Sequence, residues 1–246
     1  MIISSVIQEG AIDYPGKYGP TIFLGGCNFK CGFCHNPSLM GDSGVRVNEE
    51  ELLKKLKSKS QAGWYNGVCI SGGEPTLQND LPEFARKLKD LGLNVKVDTN
   101  GTNPKMLENL LGIVDYVAMD IKGPSERYSQ IAGVSANLTN IERSIKTVMI
   151  FPDYEFRTTL TPILDTVPGW MTEKEAEDMA RWIVDLTCSN GHKYYLQKFI
   201  ARNKEEMLNE RFSKGNLPAE FNETPEGVLE TLKDSARKYL PKCEIR

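Results

Sequence analysis

Histidine is nearly missing from this chain, with two in 246 residues, and no Ser-His-Asp or histidine-rich constellation stands out. Long apolar runs are missing too. None approaches the roughly 20 residues of a membrane span, so no membrane partner is expected. Charge of one sign is not in excess: 30 basic residues against 33 acidic ones give a formal net charge of −3. That balance gives no reason to expect nucleic acid as a partner. Met1-Ile2-Ile3-Ser4-Ser5 lacks the basic start and long apolar core of a secretory signal, so a cytoplasmic protein with reduced thiols is expected. Low-complexity segments and repeats of roughly 20–50 residues are absent. What remains, 40% hydrophobic and 26% charged, is an ordinary globular composition within the length of one large α/β domain.

Against these absences stand three close cysteines, in the run Gly26-Cys27-Asn28-Phe29-Lys30-Cys31-Gly32-Phe33-Cys34-His35-Asn36-Pro37. The spacing C-x3-C-x2-C lets three thiolates converge from one short loop. Thiolates suit iron–sulfur clusters or zinc, and a [4Fe–4S] cluster usually takes four of them. Three leave one iron without a protein ligand, and an open position is what a metal site needs to bind a substrate. A zinc knuckle completed by His35 is the competing reading, strained because Cys34 and His35 are adjacent. Disulfide pairing is another, at odds with a reducing compartment. Phe29 and Phe33 flank the cysteines, where apolar rings would limit solvent access to a cluster. Cys69, Cys188 and Cys243 have no cluster-like spacing, and Cys69 reads as a small core residue.

Short β-rich runs alternate with helical stretches, the pattern of a parallel sheet with helices outside it. Strands are expected over 21–24, 68–71, 95–98, 116–120, 155–160 and 194–199, with an N-terminal strand over 2–8 at one edge. Helices are expected over 48–60, 81–91, 137–149, 172–188 and 225–239, with Asn48 and Thr172 as N-caps. Six β/α units fit an α/β, partial (β/α)6 TIM-like barrel in one domain. Its core would span about 13–202, with a C-terminal loop and helix over 203–246 and a loop at 213–225. Barrel chemistry sits at the C-terminal ends of strands. The polar motifs follow that rule: the cysteines, then Ser71-Gly72-Gly73-Glu74-Pro75, then Asp98-Thr99-Asn100-Gly101, then Asp120-Ile121-Lys122, with Arg157 inside the fifth strand.

Each motif has a plain reading and a chemical one. Gly72 and Gly73 make either a simple turn or a backbone that a ligand can approach closely, with Glu74 placed to receive an ammonium group. Asp98 and Asp120 are either capping or surface carboxylates or a pair in a barrel mouth, costly there unless a cation sits between them. Lys122 could instead neutralise Asp120 directly. Arg157, pointing into a mouth, would need an anion, and a carboxylate matches its geometry.

Together these runs resemble the radical S-adenosylmethionine (SAM) enzymes over most of the chain, from Asp13 to about Arg202. They resemble most the glycyl-radical-enzyme activating enzymes, especially the compact group labelled anaerobic ribonucleoside-triphosphate reductase activating proteins. Cys-His-Asn at 34–36 is frequent in that family, and Tyr195-Leu196-Gln197-Lys198-Phe199 looks like the compact group. Pyruvate formate-lyase activases tend instead to have a Pro-Tyr-His sequence there. The resemblance implies a [4Fe–4S] cluster on Cys27, Cys31 and Cys34 whose open iron binds SAM, and a backbone at Gly72, Gly73 and Glu74 that holds the SAM amino group. It also implies Phe33 near the adenine, and a monovalent cation on Asp98 and Asp120 with carbonyls from Thr99 and Ala118. Arg157 would meet the SAM carboxylate or the substrate peptide. The segment 37–47 leaves no room for a ferredoxin-like insertion. Ile12-Asp13-Tyr14-Pro15-Gly16-Lys17 resembles the Asp-Gly-Pro-Gly loop of pyruvate formate-lyase activases, with Tyr14 in place of the first glycine; Asp13 would contact the protein substrate or start a turn. The implied reaction is one-electron cleavage of SAM to a 5′-deoxyadenosyl radical, which takes a hydrogen from a backbone glycine of a glycyl-radical partner. A flavodoxin- or ferredoxin-type reductant is the implied electron donor. The alternatives are a pyruvate formate-lyase activase, a radical SAM enzyme acting on a small molecule, or a non-catalytic iron–sulfur electron-transfer protein.

Overall fold

A computed structural model describes residues 1–11, 13–41, 46–165, 168–202, 207–214 and 216–246, with backbone alone at Arg211 and Phe212. Ile12, residues 42–45 of the short 37–47 segment, 203–206 of the C-terminal stretch and 215 of the 213–225 loop lie outside the described residues.

Eight strands are described: β1 Ile3–Gly10, β2 Gly19–Leu24, β3 Gly67–Gly72, β4 Asn94–Thr99, β5 Tyr116–Asp120, β6 Asp153–Leu160, β7 Tyr194–Lys198 and β8 Cys243–Ile245. The helices are α1 Glu49–Gln61, α2 Leu81–Asp90, α3 Pro104–Leu110, α4 Tyr128–Ala132, α5 Leu138–Val148, α6 Glu173–Thr187, α7 Glu210–Ser213 and α8 Glu226–Arg237. The strands form one sheet in chain order, β1 to β8. β1 lies antiparallel to β2 at the edge, whereas the β2–β3, β3–β4, β6–β7 and β7–β8 pairs are parallel. The expected α/β class with a mostly parallel sheet is what forms. Four elements were not expected: β8, α3, α4 and α7. β8 is only three residues long, too short to show a period. α3 begins at Asn-Pro, a pair that reads as a turn, yet Asn103 caps the helix by accepting from the Met106 N–H at 3.2 Å.

The chain divides into two compact units, Met1–Asn28 with Ser38–Ala118 and Thr147–Tyr154, and Phe29–Pro37 with Met119–Lys146 and Glu155–Arg246. In the first unit, strand alternation puts Ile22, Leu24, Val68, Ile70, Val95 and Val97 on one face, all buried, along with Leu52 and Leu56 of α1 and Phe84 and Leu88 of α2. The opposite face carries Thr21, Cys69, Ser71, Lys96 and Asp98, and the register sets Cys69 beside Lys96. Polar chemistry is thereby concentrated on one side of the sheet.

In the second unit, Phe156 and Leu160 of β6 and Tyr194 and Leu196 of β7 are buried, as are Met179 and Ile183 of α6 and Leu229 and Leu232 of α8. α6 starts with a capping box: the Glu175 N–H donates to Thr172 Oγ1 at 3.2 Å, and the Thr172 N–H donates to the Glu175 carboxylate at 2.8 Å. Thr172→Ala is expected to lower stability by about 1 kcal/mol, and Thr172→Ser to retain it, as read from the urea midpoint.

Candidate active site

The cysteine loop leaves the end of β2, and its stem is fastened by backbone alone. The Gly73 N–H donates to the Leu24 carbonyl at 2.8 Å and the Glu74 N–H to the Gly26 carbonyl at 2.7 Å. Gly72 has φ of +124°, and a Cβ there would lie 2.3 Å from the Leu24 backbone; one on Gly73 would lie 2.0 Å from the Gly26 oxygen and 3.2 Å from the Cys27 nitrogen. Close approach is thus what the glycines provide, as expected, but the group approached is the stem of the cysteine loop itself.

The Glu74 side chain also differs from expectation. Its carboxylate is 1% exposed and already filled. It accepts from the Thr76 N–H at 3.1 Å and the Thr76 hydroxyl, from Thr99 Oγ1 at 2.7 Å and from the Asn100 N–H at 2.6 Å. Burial pushes its carboxyl above the ordinary value of 4.5, and the donors on Thr76, Asn100 and Thr99 act against that shift. An ammonium group would therefore meet backbone here, with the Glu74 side chain turned inward. Asn100 extends the network, donating from Nδ2 to Asn28 Oδ1 at 2.9 Å, while Asn28 Nδ2 donates to Thr102 Oγ1 at 2.9 Å. The residue after Cys27 is in this way tied to the loop after β4. Thr76, Asn28, Asn100 and Thr102 were missed as site residues; only the positions of Asn28 within the cysteine run and of Asn100 within Asp98-Thr99-Asn100-Gly101 could have flagged any of them.

The aspartates have partners that the sequence hid. Asp98 is ion-paired with Lys96 and accepts from Ser71 Oγ at 3.2 Å. Asp120 is paired with Lys122 and with Arg157, each at 2.9 Å. Burial pushes the Asp120 carboxyl up, but the Arg157 guanidinium and the Lys122 ammonium outweigh it and hold the carboxyl well below its usual range. The charge argument for a monovalent cation thus fails on both carboxylates, and Lys122 does neutralise Asp120. Arg157 likewise has its anion inside the fold, with Glu155 3.9 Å away as a second one.

In the second unit the Cys34 N–H donates to the Cys31 carbonyl at 3.0 Å, and the Lys30 N–H donates to Ala132 O at 2.9 Å, anchoring the loop on the end of α4. Cys31 is buried; burial pushes its thiol up and the Lys122 ammonium opposes this. Phe29 is buried edge-on against Tyr128, with ring centroids 6.4 Å apart. Phe33 packs on Phe199 at 6.4 Å and lines a cavity of about 120 Å³ with Gln130, Thr161 and Asn209. His35 stacks on Phe199 at 5.9 Å, and its Nε2 lies 2.8 Å from the Ile200 carbonyl, so Nε2 carries the proton and donates. Asp13 accepts from Thr21 Oγ1 at 2.5 Å, in a loop at the N-terminal end of β2, opposite the end that leads to Cys27.

All six cysteines are free thiols. Among the described residues no three His, Cys, Asp or Glu side chains converge as on a single ion. A cubane makes a different demand, each thiolate taking its own iron, and three thiols on one loop are the donor set that suits it.

The Radical SAM superfamily model matches residues 21–183, and the chain belongs to that superfamily. Over its whole length it is 33% identical to 95% of a Methanocaldococcus jannaschii protein provisionally named a glycyl-radical enzyme activating enzyme. Within the superfamily it is accordingly a member of the glycyl-radical-enzyme activating family. Over 49% of the chain it is 35% identical to 52% of the pyruvate formate-lyase-activating enzyme of Clostridium pasteurianum. The fold matches the crystal structure of methylornithine synthase with a TM-score of 0.60, at 15% identity, over 92% of this chain and 63% of that one. As a radical SAM enzyme the chain uses a [4Fe–4S] cluster and SAM. Among the described residues no helix is long and apolar enough to cross a membrane.

Two outcomes test this geometry. Glu74→Gln would set an amide N–H₂ against one of the donors, and a loss of about 1–3 kcal/mol is expected in chemical denaturation. Asp120, depressed in the folded state, contributes stability that is present above its ordinary value of 3.8 and lost as pH falls below it. Asp120→Asn is expected to flatten that acid limb of the stability–pH curve.

Proposed function

We propose that the chain activates an anaerobic ribonucleoside-triphosphate reductase, with Cys27, Cys31 and Cys34 holding the cluster and the loops after the strands holding SAM. The observation that supports the site is the backbone fastening of Gly73 and Glu74 onto Leu24 and Gly26, which fixes the SAM-binding loop to the stem of the cysteine loop. Support for the target is the sequence Tyr195-Leu196-Gln197-Lys198-Phe199 at β7, where Thr159 Oγ1 lies 3.4 Å from the Gln197 amide oxygen and no Pro-Tyr-His stands.

When bound, the cluster and SAM together supply the 5′-deoxyadenosyl radical that takes a hydrogen atom from a backbone glycine of the partner. The protein's own part is positional. The backbone at Gly72 and Gly73 receives the SAM ammonium, because the Glu74 carboxylate is spent on Thr76, Thr99 and Asn100. Thr99 acts through Glu74. Phe33 offers its ring to the adenine, and Arg157, oriented by Asp120, offers a guanidinium to the SAM carboxylate. Asp98, at the end of β4, contributes to holding SAM. A flavodoxin- or ferredoxin-type protein in the cytoplasm delivers the electron.

Anaerobic reconstitution, reduction and addition of SAM should yield 5′-deoxyadenosine, and Cys31→Ala should abolish it. A glycyl radical seen by electron paramagnetic resonance on a ribonucleotide reductase, and not on pyruvate formate-lyase, is the expected partner result. A radical on pyruvate formate-lyase alone would replace the target. A loaded cluster that forms no 5′-deoxyadenosine would sink the reading altogether.

A further inference from the structure

We infer that Lys96 is a resident cation: its ammonium occupies the role of the monovalent ion that Asp98 would otherwise call for, and this chain binds none there. Lys96 and Asp98 are two apart on β4, so both project from the same face. The Lys96 side chain is 1% exposed and ion-paired with Asp98 Oδ1, while Ser71 Oγ donates to Oδ2 at 3.2 Å. A buried lysine is rare without a partner, and this one reaches its partner from below. Cys69 Sγ lies 3.7 Å from the ammonium, and the Tyr116 ring lies 5.9 Å away, as walls of the slot.

Both oxygens of Asp98 thus face donors. A metal ion would compete with those donors for the carboxylate, and it would also meet the positive charge of Lys96 at close range. The pattern repeats in the second unit, where Lys122 donates to Asp120 Oδ2 and Arg157 to Oδ1. The residues that would hold a cation are here already held by cations of the chain's own.

Removing Lys96 alters that balance. The Asp98 carboxylate, 16% exposed, would keep an opening to solvent and lose the ammonium paired with it. The vacated slot would be negatively charged and reachable by a small ion. The inference rests on the proposed function only in setting Asp98 beside the SAM site; its test needs neither cluster nor SAM.

Thermal melts of the 246-residue chain at constant ionic strength in potassium, sodium or tetramethylammonium chloride read the effect. The wild type is expected to melt alike in all three. Lys96→Met is expected to melt lower in tetramethylammonium and to recover by roughly 2–4 °C or more on titration with potassium or sodium, saturably. Lys96→Arg should remain indifferent to the salt. Saturable stabilisation of the wild type by potassium or sodium, lost in Asp98→Asn, would overturn the inference. So would a folded Lys96→Met that does not distinguish the salts. Should Lys96→Met not fold, Lys96→Gln takes its place, and failure of both in every salt would also overturn it, because a small ion should substitute for an ammonium whose role is its charge. If 5′-deoxyadenosine formation fails while the salt behaviour holds, the functional reading falls and the resident cation stands.

Discussion

A carboxylate with almost no access to water is the constraint on which the site depends. Glu74 could not remain buried as an anion unless donors surrounded it, since an unpaired charge in a protein interior costs several kcal/mol or more. The donors come from two places: Thr76 just beyond β3, and Thr99 with Asn100 at the end of β4. Asn100 then reaches Asn28, next to the first cysteine. One buried carboxyl group therefore links the ends of β3 and β4 and, through Asn100, the loop after β2. No side chain in this set needs to touch a substrate for the site to need it.

A second theme is local neutrality. Asp98 has Lys96, Asp120 has Lys122 and Arg157, and the fully buried Glu155 has Arg246 at 2.9 Å. Each pair is made within its own unit, so each carboxylate carries its counter-charge from the moment its strand neighbourhood forms. Polar groups gathered on the inner face of a sheet would otherwise repel or strand one another. Neutralised in place, they become oriented dipoles and hydrogen-bond donors, a form of preorganisation that does not wait for a ligand.

How much of this could be read in the sequence varies with the kind of contact. Strands such as Tyr116–Asp120 were legible because apolar runs of that length between turn residues have few other uses. The cysteine triplet was legible because spacing alone specifies it. Gly72 and Gly73 were found, but the reason for them was only half visible: the group they approach is backbone far earlier in the chain, at Leu24 and Gly26, which no local pattern announces. Lys96 looked like an ordinary strand residue, and the counter-charge of Asp98 was hidden because strand period gives a face but not a partner. Glu74 was legible as a site residue, but the inward turn of its carboxylate was not, since burial cannot be seen in a motif. β8 and α3 escaped for the humbler reasons of shortness and an Asn-Pro that normally marks a turn.

The material of the Glu74 network has a consequence for an enzyme whose cofactor is harmed by air. Carboxylate, hydroxyl, carboxamide and peptide groups supply the hydrogen bonds that hold the stem of the cysteine loop. Oxygen that strips the iron attacks thiols and leaves this framework chemically intact. The seat outlasts its occupant, so a molecule caught in an aerobic episode keeps the frame in which its thiols, once reduced again, can be refilled.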